Sequence, residues 1–393
     1  MKEKMLDMQE TIAQWRRYFH QYPGVGFDVE ETSTRIEQEL DKMGITNRKR
    51  FASTGIAALI EGNSGCDKTV ALRADIDGLP IQQINDVPYK SKIDGRMHAC
   101  GHDAHIAMAL GVAKYFTEHK EELDGNLLLI FQPGEEGYGG AQAMLDDGLY
   151  EEYPFETVFG CHVGSIFPDV KYNKIGLSAK PTMAAAVEFS LDIYGKGGHG
   201  AVPQETVDPV VVSAHVITAL QTIKSRRLAP TDNAIVTIGE IKGGSAPNII
   251  PDKVTLRGTA RYLTDDIGKC IYSSIDEIAK GVTAAFGGRH NLTFKDPYPP
   301  VKNDDELVKW AKEELSEVTE SDQIVEIEKP SMGGEDVAVF LRKAPGIFFF
   351  LGTNNNTEKT SYPHHHHKFD IDDSLLWKGT NVFVNLIKKY YKR

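Results

Sequence analysis

The chain begins with a helical pattern of apolar side chains. Apolar residues recur at steps of three and four between residues 3 and 20, which places them on one face of a helix. These residues are Met5, Met8, Ile12, Trp15 and Phe19. A second helix is predicted over residues 31–43, with Ile36 and Leu40 on its buried face. Two amphipathic helices therefore precede the first predicted strand.

Beyond residue 50, short apolar runs alternate with helical patterns. Helices are predicted over residues 104–118 and 141–146. The runs typical of buried strands cover residues 56–60, 69–74, 126–131 and 157–161. Strands that alternate with helices indicate an α/β layer with a largely parallel sheet. Sites on such sheets gather in the loops beyond the strand ends.

The middle of the chain has a different order of elements. Strands are predicted over residues 187–194, 234–241, 253–262 and 291–295, with helices over 208–223 and 267–285. This β-α-β-β-α-β order is typical of a small ferredoxin-like unit. The Pro-rich segment 296–300 is a predicted linker, and a last helix is predicted over residues 373–390. We therefore expect an α/β fold of two domains: a catalytic domain formed by residues 1–182 and 298–393, and an inserted α+β domain formed by residues 183–297.

Composition and charge exclude several classes of protein. The net charge of −12 over 393 residues argues against a nucleic-acid-binding protein, because such binding rests on positive charge. The chain has no run of about 20 apolar residues, so no membrane span is predicted. It shows no signal peptide, and a cytoplasmic location is expected. Its four cysteines, Cys66, Cys100, Cys161 and Cys270, are too widely spaced to indicate a disulfide framework.

Cysteine and histidine crowd into the loop before the helix predicted at residue 104. Cys100 and His102 can face one point because Gly101 permits a tight bend. A thiolate and an imidazole are good ligands for a zinc-like cation. A helix cap beside a buried cysteine and solvated histidines is the alternative for this motif alone.

Three further signals follow predicted strands. Glu135 and Glu136 directly follow the strand 126–131, and adjacent side chains on extended backbone point in opposite directions. One carboxylate can then bind metal while the other acts as the base that hydrolysis needs. A polar turn is the alternative. Cys161 and His162 stand at the end of the strand predicted over 157–161, and four histidines, 364–367, precede the final helix.

Together these signals place Cys, His and Glu donors after successive segments of one α/β unit. That combination favours a metal site over four unrelated structural roles. A cysteine-nucleophile enzyme fits less well, because it gives the carboxylate pair no role.

These residues resemble the M20 family of metallopeptidases and amidohydrolases, and most closely its amidohydrolase subfamily of hippurate hydrolases, indole-acetyl amino-acid hydrolases and N-acetyl-diaminopimelate deacetylases. The resemblance covers nearly the whole chain. It is carried by Leu72-Arg-Ala-Asp-Ile-Asp-Gly-Leu-Pro80, His98-Ala-Cys-Gly-His-Asp103, Pro133-Gly-Glu-Glu-Gly137, Gly160-Cys-His-Val163, Gly195-Lys-Gly-Gly-His-Gly200, Ala246-Pro-Asn-Ile-Ile-Pro251 and Met332-Gly-Gly-Glu-Asp336.

The resemblance implies a centre of two divalent metal ions. Cys100 would bridge the ions, Glu135 would be the general base, and Asp75 would orient a ligand. The other implied ligands are His102, Glu136, His162 and His365. For the last of these, the family pattern Leu-His-x-Pro-x-Phe-Asp selects His365, with His366 as the alternative. A thiolate favours Zn²⁺, while Mn²⁺, Co²⁺ and Ni²⁺ remain open.

The resemblance also implies a lid or dimerisation role for the inserted domain, and a homodimer or higher homo-oligomer. His199 would stabilise the oxyanion, Asn248 would contact substrate, and Arg261 would pair with a substrate carboxylate. Turn glycines around His199 and a solvated strand arginine are the structural alternatives.

The expected activity is metal-dependent hydrolysis of the amide bond of a small N-acyl amino acid. A dipeptidase, aminopeptidase or carboxypeptidase acting on short peptides is the alternative within the enzyme class. A non-catalytic binding protein is the alternative outside it.

Overall fold

The computed structural model describes residues 2–295, 298–316 and 323–393. Its α-helices are α1 (Lys2–Gln21), α2 (Glu30–Lys42), α3 (His102–Glu118), α4 (Gly140–Asp146), α5 (Leu149–Glu152), α6 (Pro209–Leu220), α7 (Asp265–Ala285), α8 (Asp305–Ser316), α9 (Val337–Lys343) and α10 (Leu376–Tyr390). Its strands are β1 (Arg48–Phe51), β2 (Gly55–Ile60), β3 (Thr69–Asp75), β4 (Asn126–Gln132), β5 (Thr157–Gly164), β6 (Ile175–Leu177), β7 (Ala185–Tyr194), β8 (Gly198–His199), β9 (Ala234–Gly243), β10 (Ile249–Ile250), β11 (Lys253–Tyr262), β12 (Arg289–Phe294), β13 (Ile324–Glu326) and β14 (Gly346–Gly352).

The chain divides into two compact units. The first unit is formed by Met1–Lys180, Lys302–Pro330 and Asp336–Arg393. The second unit is formed by Pro181–Val301 and Ser331–Glu335. The polypeptide therefore passes between the units four times. The second unit contains the predicted insert, 183–297, together with a short segment far along the chain that the sequence did not assign to it.

The first unit is built on an eight-stranded sheet in the order β1-β2-β4-β3-β5-β14-β6-β13. Its four central strands β4, β3, β5 and β14 are parallel to one another, while β1 and β2 extend it in antiparallel pairing. The buried face of α1 is the one predicted, and α3 is buried along nearly its whole length. The predicted α/β layer is confirmed.

The second unit has a four-stranded antiparallel sheet in the order β12-β7-β11-β9. With α6 and α7 between its strands in sequence, this is the order of a ferredoxin-like fold. Apolar side chains that alternate along β7, from Ala185 to Ile193, face a core shared with both helices. The predicted α+β character of the insert is therefore seen. The predicted linker 296–300 lies partly outside the described residues.

Most predicted elements shift by a residue or a few at their ends, and two of these differences bear on the argument. Strand β5 continues to Gly164, so His162 lies within the strand and not after it. The last helix begins with a 3-10 turn, Asp373–Leu375, before α10. All four cysteines are free, as predicted. No helix in the described part of the chain is long and apolar enough to cross a membrane.

We predict that Glu122 stabilises the fold only above acidic pH. Burial alone would raise the pKa of Glu122, but hydrogen bonds from Lys388 and Tyr115 outweigh it and lower the pKa to about 2. Stability from a depressed carboxyl pKa is present above its unfolded value and is lost as the pH falls towards the folded value. Glu122→Gln should lower the free energy of unfolding by about 1–3 kcal/mol at pH 7.

Urea unfolding followed by circular dichroism at pH 7 and pH 2.5 measures this effect. The difference between Glu122→Gln and the wild type should shrink to about a quarter at pH 2.5, which still lies just above the folded pKa of about 2. Glu121→Gln is the matched control, because the Glu121 side chain is 70% exposed. An equal loss at both pH values would contradict the assignment.

Candidate metal centre

The predicted ligands meet at the carboxyl ends of the four parallel strands. Asp75 ends β3, and Glu135 and Glu136 follow β4. His162 lies near the end of β5, and His365 follows β14. Parallel strands deliver their following loops to one edge of the sheet, so residues distant in sequence converge there.

Cys100 reaches this edge through the turn before α3. Gly101 has a φ of +90°, a backbone conformation that side chains other than glycine rarely adopt. A Cβ at this position would also lie 2.7 Å from Cγ2 of Val163 on β5. The glycine therefore lets the turn pack directly on the sheet, which brings Cys100 Sγ to 3.5 Å from His162 Nε2.

Hydrogen bonds orient two imidazoles towards a common point. Nδ1–H of His102 donates to the carbonyl oxygen of Asp77 at 2.8 Å, and Nδ1–H of His162 donates to the carbonyl oxygen of Val163 at 2.8 Å. In the neutral form of each ring, Nε2 therefore carries the lone pair. Among the described residues, nothing forms a hydrogen bond with the buried Nε2 of His102. Such an orphaned acceptor fits a cation.

Two of the clusters of potential ligands share Cys100, and we call these the two ligand groups. One group is Cys100, His102 and His162, and the other is Cys100, Glu136 and His365. Within each group the ligand atoms lie within 4.8 Å of one another. A thiolate and an imidazole on one tetrahedral ion lie about 3.6 Å apart, given bonds of about 2.3 and 2.05 Å. The observed 3.5 Å between Cys100 and His162 matches that distance.

The histidine run 364–367 contributes unequally to these groups. His365 has a φ of +64°, and its Nε2 lies 3.2 Å from Oε1 of Glu136. His366 instead stacks its ring on Tyr362, with the ring centres 4.7 Å apart and the planes at 9°. This geometry favours the predicted His365 over His366 as the ligand.

The two adjacent glutamates do not point in opposite directions, so that expectation was wrong. A carboxylate oxygen of Glu135 and one of Glu136 both lie 4.0 Å from Nε2 of His102. The reason is that the backbone after β4 is a turn and not an extended strand, closed by a hydrogen bond from the amide of Gly137 to the carbonyl oxygen of Glu135. Both carboxylates consequently face the same site, and the side chain of Glu135 is buried.

Asp77 is a site residue that the sequence analysis missed. Its carboxylate accepts the backbone N–H of Glu135 at 3.0 Å and that of Glu136 at 3.3 Å. Its carbonyl oxygen accepts the Nδ1–H of His102. It stands two residues after Asp75, so both aspartates of the Asp-Ile-Asp sequence point to the same side. That spacing was the available signal.

Asp75, predicted to orient a ligand, has other partners. It accepts Nδ1–H of His105 at 2.5 Å and an N–H of Arg73 at 2.8 Å, and it lies 3.5 Å from Nε2 of His102. His105 was also missed. It lies one turn after His102 on α3, and its Nε2 accepts the backbone N–H of Val163. Asp75 thus contacts the site edge, while the hydrogen bond that orients His102 comes from Asp77.

Buried charge changes the protonation of the ligands when no cation is present. Burial would lower the pKa of His102, but Asp75, Asp77 and Glu136 outweigh it and raise the pKa to about 10. Burial, reinforced by Glu136 and Glu135, raises the pKa of the Cys100 thiol well above its usual value. Ligands bind metal in their deprotonated forms, so metal uptake by this site releases protons.

The three predicted substrate residues lie in the second unit. His199 on β8 pairs with Ile249 on β10, and the amide of Gly200 donates to the carbonyl oxygen of Asn248, so His199 and Asn248 are close together. Arg261 lies near the far end of β11, where it pairs with Ala186 and Ile235. The three residues therefore lie in two places in the second unit, His199 and Asn248 in one and Arg261 in the other.

An α/β unit with thiolate, imidazole and carboxylate groups clustered beyond its parallel strands is typical of metal-dependent hydrolases. The family model of peptidase family M20/M25/M40 matches residues 71–389. The chain belongs to this family, which confirms the prediction from its motifs.

Similar proteins cover nearly the whole chain. The N-acetyl-L-cysteine deacetylase of Bacillus subtilis is 36% identical over 382 residues, which cover 97% of this chain and 88% of that protein. The thermostable carboxypeptidase 2 of Saccharolobus solfataricus is 35% identical over 394 residues, 99% of this chain and 98% of that protein. The crystal structure of the Bacillus subtilis YxeP protein, described as a dinuclear metal-binding peptidase of family M20, has a TM-score of 0.84 at 30% identity, and covers 98% of this chain and 99% of that chain.

We predict that Asp77 controls metal affinity through the backbone that it holds. Asp77→Ala removes the acceptor for the amides of Glu135 and Glu136, and loss of such an outer partner typically weakens metal binding about 10–100-fold. Titration of the metal-free protein with Zn²⁺ against a competing chelator measures the affinity. Asp94→Ala, at an exposed position of the same loop region, should bind as the wild type does. An affinity of Asp77→Ala within twofold of the wild type would sink the prediction.

Proposed function

We propose that this protein is a metal-dependent amidohydrolase that cleaves the amide bond of N-acyl amino acids. The observation that carries the proposal is the pair of ligand groups that share Cys100, with the buried carboxylate of Glu135 beside them. The resemblance to a deacetylase of an N-acyl amino acid supports the substrate class. Membership of a peptidase family supports hydrolysis of a C–N bond.

Cys100 and the other residues of the two groups would hold two divalent cations, and the chemistry that these ions would supply is Lewis-acid activation of water and of the acyl oxygen. Glu135 is the general base, which accepts a proton from the attacking water. It then delivers that proton to the amide nitrogen as the C–N bond breaks. Asp77 fixes the backbone of Glu135, so the carboxylate is positioned before substrate arrives. Zn²⁺ suits the thiolate and imidazoles, and Mn²⁺ is the second candidate.

The second unit supplies further candidates for substrate binding. The amide of Ala201 donates to Nδ1 of His199 at 3.0 Å, so the Nε2 of this exposed histidine carries the N–H. An outward N–H donor is what stabilisation of an oxyanion requires. Arg261 is partly buried and makes no ion pair with any described residue, which suits it to a substrate carboxylate. Asn248, exposed next to His199, is a third candidate contact.

A peptidase acting on short peptides is the second candidate function. The similarity to a carboxypeptidase favours it, since the chain matches that relative over nearly its full length.

A panel of N-acetyl, N-benzoyl and indole-acetyl amino acids and dipeptides distinguishes the two functions. The chelated protein is reloaded with Zn²⁺ or Mn²⁺, and amine release is measured. Metal-restored cleavage of acyl amino acids supports the proposal, while cleavage of dipeptides alone makes the protein a peptidase. Bound metal without any turnover favours a binding protein.

We predict that substitution of the two adjacent glutamates affects two different properties, turnover for Glu135 and metal binding for Glu136. Glu135→Gln should lower kcat about 10²–10⁴-fold while two metal ions stay bound, because it removes a base and not a ligand. Glu136→Gln should lower the metal content, because a neutral amide is a poorer ligand than a carboxylate. Metal content by elemental analysis and kcat on the best substrate of the panel measure the two effects. Glu151→Gln, at an exposed position of helix α5, is the matched control. Substantial residual activity in Glu135→Gln refutes the role of base.

The proposal extends to a homodimer formed through the second unit. Strand β9 is an edge of the four-stranded sheet, and it exposes Ile235 by 40% and Ile241 by 60%. Helix α6 exposes Val210 and Val211. An exposed edge strand with apolar side chains is a template for pairing with another chain. A cytoplasmic location stays a prediction from the sequence.

We predict that a charge on this edge prevents dimer formation. Ile241→Lys, alone and with Ile235→Lys, should shift the protein from dimer to monomer, because lysine blocks strand pairing at sheet edges. Sedimentation velocity at several concentrations measures the mass. Leu6→Lys is the control, because Leu6 is similarly exposed, by 45%, on α1 of the first unit. A monomeric wild type, or variants that remain dimers, would rule out this interface.

A further inference from the structure

His364 contacts the proposed bridging thiolate although it belongs to neither ligand group. Its Nδ1 lies 3.7 Å from Sγ of Cys100, within hydrogen-bonding distance of a sulfur atom. Its ring packs on Phe369, with the ring centres 4.6 Å apart, and edge-on against His162 at 5.2 Å. The ring is thus held beside the sulfur by aromatic contacts on two sides.

The surroundings of the other ring nitrogen decide which one carries the hydrogen. Nε2 of His364 is buried, and within the described residues it has no hydrogen-bonding partner. It faces Gly164, where a Cβ would come within 2.2 Å of it. A neutral imidazole has one N–H, and a buried N–H without an acceptor is less favourable than a buried lone pair. The hydrogen therefore belongs on Nδ1, which faces the sulfur.

We propose that His364 is a positioning residue, whose Nδ1–H donates a hydrogen bond to the thiolate of Cys100, the residue that the two ligand groups share. This inference rests on the proposed metal centre. A nitrogen that carries the hydrogen has no lone pair for a metal ion, and each ligand group would supply three protein ligands without His364. The hydrogen bond withdraws electron density from the sulfur and fixes its direction, as partners of metal ligands commonly do.

Gly164 makes this arrangement possible at the backbone. Its φ is +115°, and the space that a side chain would fill is taken by the His364 ring. Gly164 ends β5, two residues after the ligand His162. The same strand end thus supplies a ligand and the space for the ring that donates to the bridge.

Cobalt substitution tests the proposal, because the charge-transfer absorption from a thiolate to Co²⁺ reports the electron density on sulfur. The metal-free full chain is loaded with Co²⁺, and the near-ultraviolet band and the bound Co²⁺ per chain are measured. His364→Leu should keep the wild-type Co²⁺ content and shift the band to longer wavelength, because the sulfur becomes a better donor. His364→Asn should keep the band near its wild-type position, since its side-chain amide can donate from almost the same place as Nδ1.

His367→Leu is the matched control from the same run, because His367 is exposed and outside both ligand groups. Its spectrum should match the wild type. Loss of one Co²⁺ in His364→Leu would overturn the proposal by making His364 a ligand. An unchanged band in His364→Leu would overturn it by leaving only a packing role. A wild type that binds Co²⁺ without a thiolate band would overturn the proposed centre itself, and this inference with it.

Discussion

The buried carboxylate of Asp77 holds the two halves of the candidate centre together. The carboxylate accepts hydrogen bonds from the backbone amides of Glu135 and Glu136. The backbone carbonyl oxygen of Asp77 accepts a hydrogen bond from the ring of His102. The proposed base and one proposed ligand of each group are thus fixed to a single residue. Burial raises the pKa of Asp77, an effect that His102 opposes. Burial of the charged carboxylate is tolerated because the hydrogen bonds from the two backbone amides replace its lost hydrogen bonds to water.

Two networks of buried charge adjoin the candidate centre. Arg73 joins Asp75 to Asp336, and Arg16 joins Asp103 to Asp370. Taking such groups out of water is costly, and apolar residues of similar volume often stabilise a core as well or better. We infer that these ion pairs fix the position of the start of helix α3, because Asp75 and Asp103 lie on either side of His102 there. The directional contacts of the two guanidinium groups set positions that apolar packing would leave free.

The α/β layers and the order of the predicted ligands along the chain could be predicted from the sequence. Both depend on local signals, namely the periods of strands and helices and the order of the motifs. The sequence did not show which aspartate holds His102, since Asp75 and Asp77 share one side of the chain and the choice depends on where α3 packs. It placed Glu135 and Glu136 on extended backbone, whereas a turn closed at Gly137 turns both inward. The proposed role of His364 was equally hidden, because it depends on the space left at Gly164, a residue 200 positions away.

The second unit is made of two pieces of chain that depend on each other. In it the amide of Ser331 donates to the carbonyl oxygen of Thr182, and the amide of Ala184 lies within hydrogen-bonding distance of the carbonyl oxygens of Ser331 and Gly333. Residues 181–301 therefore cannot be transplanted alone without leaving these backbone groups unpaired. A recombination event, natural or in the laboratory, therefore has to exchange Ser331–Glu335 together with the insert, although 29 residues of the first unit separate the two segments in the sequence.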